Sequence, residues 1–223
     1  MKPRICVAVT GRDTEQIIAR VQGLHQADLV EIRLDYGVDL IDLSRVRDAT
    51  AKPLIATNRP GYHGGRSKET DESRLGALYA AIEAGFEYAD VELVAPGSGD
   101  AVKRVHDLGG TCIVSHHDFD ATPTLEELCR MHAEAESMGA DVVKLVGTAT
   151  RYGDNMAYLA YVSGHPGNVS FGMGRHGVPS RVMSPLVGGA FTYASTAEGE
   201  ESAPGQLTLP RMREIYTAMG VET

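Results

Sequence analysis

Apolar and polar positions along the chain alternate between two periods. Short β-rich runs recur at Ile5–Thr10, Leu29–Tyr36, Pro53–Asn58, Tyr88–Val94, Thr111–Ser115, Asp141–Gly147, Asn168–Met173 and Phe191–Ser195. Between them the spacing turns helical. Ile17, Val21 and Leu24 stand at i, i+4 and i+7, the positions of one buried helix face. Thr124 with Glu127 three residues on reads as a capping box opening a helix. Gly139 is placed to close that helix as a C′ glycine. Eight strand–helix units with right-handed crossovers leave two arrangements, an open doubly wound sheet or a closed barrel. The count of eight in 223 residues favours an α/β fold of the (β/α)8 TIM-barrel type, with residues 1–223 as a single domain. The Gly/Pro/Ser-rich stretches 60–65 and 198–205 each follow a strand, where a barrel carries its active-site loops.

A strand covered by helices outside and packed side chains inside should be almost wholly apolar. Several of these are not. In Leu29-Val30-Glu31-Ile32-Arg33-Leu34-Asp35 the three charges share one face and Val30, Ile32 and Leu34 the other. Charges against the helix layer would be costly, so the charged face is expected to point to the barrel axis; a buried structural ion pair is the alternative. Lys144 is a single lysine in the run Val142-Val143-Lys144-Leu145-Val146. Burial disfavours the ammonium form and leaves a nucleophilic amine, although a lysine at a strand end can also reach solvent. In Ile113-Val114-Ser115-His116-His117 the two histidines cannot both point inward. If Ser115 faces the axis, His117 is the acid/base candidate and His116 meets the helices. Arg59 ends the third strand, where it could grip an oxygen-rich substrate, and Asp90 and Glu92 alternate in the fourth.

Composition narrows the functional classes. With 21 basic and 30 acidic residues the formal charge is −9, and only five lysines are present, which argues against a polyanion-binding surface and so against a nucleic-acid partner. Three widely spaced cysteines, Cys6, Cys112 and Cys129, form neither a disulfide framework nor a zinc spacing. No apolar run approaches the roughly 20 residues of a membrane span. The expectation is a cytoplasmic protein with no membrane association.

Taken together, these residues resemble the type I 3-dehydroquinate dehydratases, the Schiff-base dehydratases of the shikimate pathway, over nearly the whole chain. The most specific segment is Asp90-Val91-Glu92-Leu93, then 19 residues, then Ile113-Val114-Ser115-His116-His117-Asp118. The resemblance implies that Lys144 forms the Schiff base with 3-dehydroquinate and that His117 is the general acid/base. It implies substrate contacts from Glu31, Arg33 and Arg59, a carboxylate site at Arg181, and a closing loop bearing Ser202 and Gln206. It further implies a homodimer and a reaction that needs no metal or organic cofactor.

One position departs from the family pattern. Where many members carry a Glu before the Gly-Gly pair that follows the third strand, this chain has His63 before Gly64-Gly65. His63 either replaces that Glu as partner of His117 or faces water. Two rivals stay open at this point. A class I aldolase would share the lysine but would usually add a phosphate site. A non-catalytic binder of a small acid would bind without turnover.

Overall fold

The structure, a computed structural model, describes residues 2–222. Eight strands come in chain order: β1 (Ile5–Val9), β2 (Leu29–Arg33), β3 (Leu54–Thr57), β4 (Tyr88–Glu92), β5 (Thr111–Asp118), β6 (Val142–Thr148), β7 (Val169–Met173) and β8 (Thr192–Ser195). Each pairs in parallel with its neighbours, in the order β7-β6-β5-β4-β3-β2-β1-β8, and the sheet curls into a barrel. Between β7 and β8 there is no ladder; Ala190 N donates to Asn168 O at 2.8 Å just below that seam. A short ninth strand, β9 (Leu207–Thr208), extends β8 beyond the barrel. No two-residue run of that kind stands out in the sequence.

Helices α1 (Thr14–Gln22), α2 (Leu43–Asp48), α3 (Asp71–Glu83), α4 (Ser98–Asp107), α5 (Leu125–Ser137), α6 (Asn155–Gly164), α7 (Val178–Met183) and α8 (Leu209–Ala218) alternate with the strands. Thr124 caps α5 through the expected reciprocal box with Glu127. Gly139 takes φ +94° beyond its end, a left-handed backbone that suits glycine, and Ala140 N bonds back to Ala135 O.

The two-residue strand period separates two apolar cores. Val7, Val30, Ile32, Leu54, Val91, Val114, Val143 and Leu145 face the helix layer. Cys6, Leu29, Ile55, Ile113, Val146, Val169 and Phe171 fill the barrel interior. Residues alternating with the outer set, Glu31, Arg33, Asp90, Glu92, Ser115 and Lys144, therefore point to the axis, and all six are buried. This is the orientation expected for the charged face of the second strand. That strand itself ends at Arg33, and Asp35 lies in a single helical turn over Leu34–Tyr36. β5 runs three residues further than the apolar run suggested, so both histidines are strand residues. Among the described residues, no helix is long and apolar enough to cross a membrane. All three cysteines are free thiols.

Candidate active site

The C-terminal mouth of the barrel holds a cavity lined by Glu31, Arg33, Arg59, His63, His117, Lys144, Arg181, Ser202 and Gln206. Every site residue proposed from the sequence thus meets at one place, drawn from six βα units. Lys144 is 5% exposed, and its Nζ lies 2.9 Å from Asp90 Oδ2, 3.1 Å from Tyr193 Oη and 3.4 Å from Glu31 Oε1. Burial alone does not describe these surroundings, since two carboxylates and a phenol oxygen meet the nitrogen.

Asp90 is the hub of a buried network. It accepts from Ser115 Oγ at 2.6 Å and pairs with the Arg59 guanidinium at 2.8 Å; against the upward push of burial, Arg59 and Lys144 hold its carboxyl far below the usual range. Arg59 also donates to Glu92 at 2.9 Å and to Ser115 at 2.7 Å. The sequence suggested a free guanidinium at the mouth; instead its fork is largely committed to two carboxylates, and only part of it borders the cavity. Arg74, fully buried on α3, reaches the other oxygen of Glu92 at 3.1 Å. Arg33 makes a two-pronged pair with Asp35 at 2.8 and 2.7 Å. The buried carboxylates of Glu31, Asp35, Asp90 and Glu92 are thereby matched by Arg33, Arg59, Arg74 and Lys144.

Arg181 is left over. It is 1% exposed on α7, stacked 4.2 Å over the Phe171 ring, with Nε and one terminal nitrogen lacking any partner. Its remaining contact is a long one, 3.5 Å, to Tyr193 O. Burial without a carboxylate pushes the guanidinium down to about 9. An unpaired cation beside a cavity whose other buried charges are paired is suited to one anionic group.

His117 is partly buried on the axis side of β5, stacked 6.2 Å from Phe119 with 15° between the rings, and its Nδ1 has no partner. Burial, with Arg59 and Lys144 nearby, pushes it well below the ordinary histidine value and keeps it neutral. His63 borders the same cavity but makes no hydrogen bond to His117. Its nearest imidazole is His116, 6.2 Å away and edge-on. The partnership of His63 with His117 is therefore not made in this structure. The next residue, Gly64, has a left-handed backbone at φ +73° and lies against the Phe119 ring; a Cβ there would fall 2.2 Å from that ring. Gly65 lies closer still to backbone, since a Cβ would stand 2.0 Å from Arg59 O.

The loop after β8 covers the mouth. Ser202 N donates to Gln206 Oε1 at 2.8 Å, Gly174 N donates to Pro204 O at 3.0 Å, and Arg20 on α1 pairs with Glu200. These contacts are polar, and Ala203 adds an apolar one against the barrel interior. The sequence reading missed Tyr193, Ser115 and Arg74, and left Asp90 and Glu92 without a role. The alternating charges of β4 were a usable signal for the last two; nothing in Thr192–Ser195 marks Tyr193.

Buried charge at strand ends over an apolar barrel floor is the build of a (β/α)8-barrel enzyme with its chemistry at the C-terminal face. The model of the type I 3-dehydroquinase family matches residues 5–223. A 3-dehydroquinate dehydratase of Dehalococcoides mccartyi is 34% identical, covering 99% of this chain and 97% of its own. One from Methanocaldococcus jannaschii is 31% identical, covering 98% and 100%. The crystal structure of 3-dehydroquinate dehydratase from Geobacillus kaustophilus superposes with a TM-score of 0.88 at 25% identity, over 99% of this chain and 92% of that one. A type I enzyme of Clostridium difficile, solved with covalently modified comenic acid, gives the same TM-score and identity over 98% and 92%. The chain belongs to the type I 3-dehydroquinase family.

Proposed function

We propose that this cavity dehydrates 3-dehydroquinate to 3-dehydroshikimate, a step of the shikimate pathway, through an imine on Lys144. The observation that carries the reading is the pairing, in a single cavity, of a buried lysine amine with Arg181, a buried cation that no carboxylate matches among the described residues. The substrate is a ketone that carries one carboxylate, so its two recognition handles match the two groups. Arg181 receives the carboxylate by paired charge-assisted hydrogen bonds. Glu31, Arg33 and Arg59 meet the ring hydroxyls, and Ser202 and Gln206 close over them.

Lys144 attacks the ketone carbon and, with loss of water, becomes an iminium. That group withdraws electrons and acidifies the neighbouring C–H. His117, kept neutral by its surroundings, is in the form that takes this proton. The imidazolium then protonates the departing hydroxyl on the next carbon, and hydrolysis of the imine releases product. The Asp90 carboxylate, 2.9 Å from the nitrogen, is a fixed counter-charge for the iminium once it forms. An aldolase reading loses its ground, since Arg181 offers a carboxylate site and the family is that of the dehydratases.

Borohydride reduction in the presence of 3-dehydroquinate tests the reading. It should leave a covalent adduct on Lys144, and Lys144→Ala should abolish both adduct and turnover while the circular-dichroism spectrum stays the same. Turnover without a trappable adduct would overturn it. The resemblance adds a homodimer working in the cytoplasm, and light scattering of the purified protein checks the dimer.

A further inference from the structure

The Lys144 ammonium has three N–H bonds, and three acceptors surround it: Asp90 Oδ2, Tyr193 Oη and Glu31 Oε1. Tyr193 touches the nitrogen in a second way, because Nζ lies 4.3 Å from the centroid of its ring. The ring is held between Phe191 at 5.6 Å and Phe171 at 6.1 Å, and the side chain is 4% exposed. Its position is therefore set by packing and not by the lysine.

Forming an iminium from an ammonium and a ketone leaves one hydrogen on nitrogen and sends two away with the ketone oxygen as water. Two of the three acceptors must then give up their N–H. Asp90 is fixed by Ser115 at 2.6 Å and Arg59 at 2.8 Å and makes the shortest contact, so it keeps the remaining one. The hydrogens that leave are those facing Tyr193 and Glu31.

We propose that Tyr193 is a catalytic residue of imine formation and hydrolysis, its hydroxyl relaying one of the two departing ammonium protons to the ketone oxygen while its ring face stays against the nitrogen. The ammonium proton passes to Oη as the Oη hydrogen passes to the oxygen. The electron pair left on nitrogen forms the C–N bond, and the carbonyl π pair moves to oxygen. The second proton, from the Glu31 side, then reaches that oxygen. The C–O bond breaks, water leaves, and the nitrogen pair forms C=N. The phenol ends as it began, and hydrolysis runs the same path backwards. Burial and the Glu31 carboxylate push the phenol well up, which disfavours a free phenolate and suits a relay in which none forms. The ring contact needs no N–H, so it persists when the other contacts are released.

This proposal rests on Lys144 as the imine lysine, and the wild-type borohydride adduct tests that separately. The test of Tyr193 compares wild type with Tyr193→Phe, which keeps the ring and removes only the hydroxyl. In a single turnover of 3-dehydroquinate, accumulation of the trappable adduct should slow by about tenfold or more, with KM changed less than about threefold. The isotope effect on kcat for substrate deuterated at the abstracted position should shrink toward unity, because imine formation then limits turnover. That ratio is read only from active molecules, so it does not depend on how much variant folds. Tyr193→Leu, which also loses the ring, should be slower still. Adduct formation at the wild-type rate in Tyr193→Phe overturns the proposal. So does slowed turnover with an undiminished isotope effect.

Discussion

Ser115 stands in register with Lys144 on one side and with Glu92 on the other, so that one hydroxyl on β5 is bonded to both Asp90 and Arg59. The lysine is thus not an isolated buried amine but the edge of a charge lattice spanning β2 to β6. Asp90→Asn keeps the shape and removes the charge that Lys144 and Arg59 share. Breaking one member of a buried ion pair costs about 3–5 kcal/mol. The variant should unfold at clearly lower urea, and its kcat should fall by about 100-fold, since the iminium loses its fixed counter-charge. Urea melts and steady-state kinetics check both halves.

The unmatched guanidinium gives an opposite pairing of effects. Arg181→Met removes a buried charge that has no partner in the unliganded protein, and should raise its stability by about 1–3 kcal/mol. The same change should raise KM by about 100-fold, because the substrate carboxylate loses its receptor. Arg181→Lys should fall between them, keeping charge without the fork. A thermal melt without ligand and a KM measurement separate the outcomes.

The pH dependence follows from His117. A histidine whose folded value is pushed below the ordinary 6.5 is neutral in the fold, and its contribution to stability is full above that value and lost as pH falls toward the folded one. Catalysis takes the same sign, so the acid limb of kcat/KM should lie below pH 6.5. His63 neighbours His116 and not His117, so His63→Ala should leave that limb in place. A pH series on the two proteins is enough.

The closing loop is held by an ion pair in which each side chain is about one-third exposed, 31% for Arg20 and 30% for Glu200. Pairs of that kind contribute about 0–1 kcal/mol and weaken with salt. Glu200→Gln should raise KM by about two- to fivefold at low salt and converge on wild type at high salt. It should also speed proteolytic cleavage within residues 198–205, and product should slow that cleavage in the wild type.

Much of the molecule was legible from order and period alone. Eight β-rich runs separated by helical spacing dictate a parallel sheet with crossovers, and the alternation of Val30 and Ile32 with Glu31 and Arg33 dictates which face meets the axis. Both follow from local geometry, because strand side chains alternate and charges cannot face the helix layer cheaply. Lys144 and His117 could be picked out for the same reason, as polar groups where a covered strand should be apolar. The tertiary structure alone decided which charges cancel. Arg59 and Arg181 are both arginines beyond the C-terminal end of a strand core, yet one lies between Asp90 and Glu92 and the other beside Phe171 with no carboxylate opposite. Arg74 enters from a helix, and Tyr193 reaches Lys144 from across β7. The pairing of groups 49 or 54 residues apart depends on barrel curvature and strand register, which no local pattern encodes.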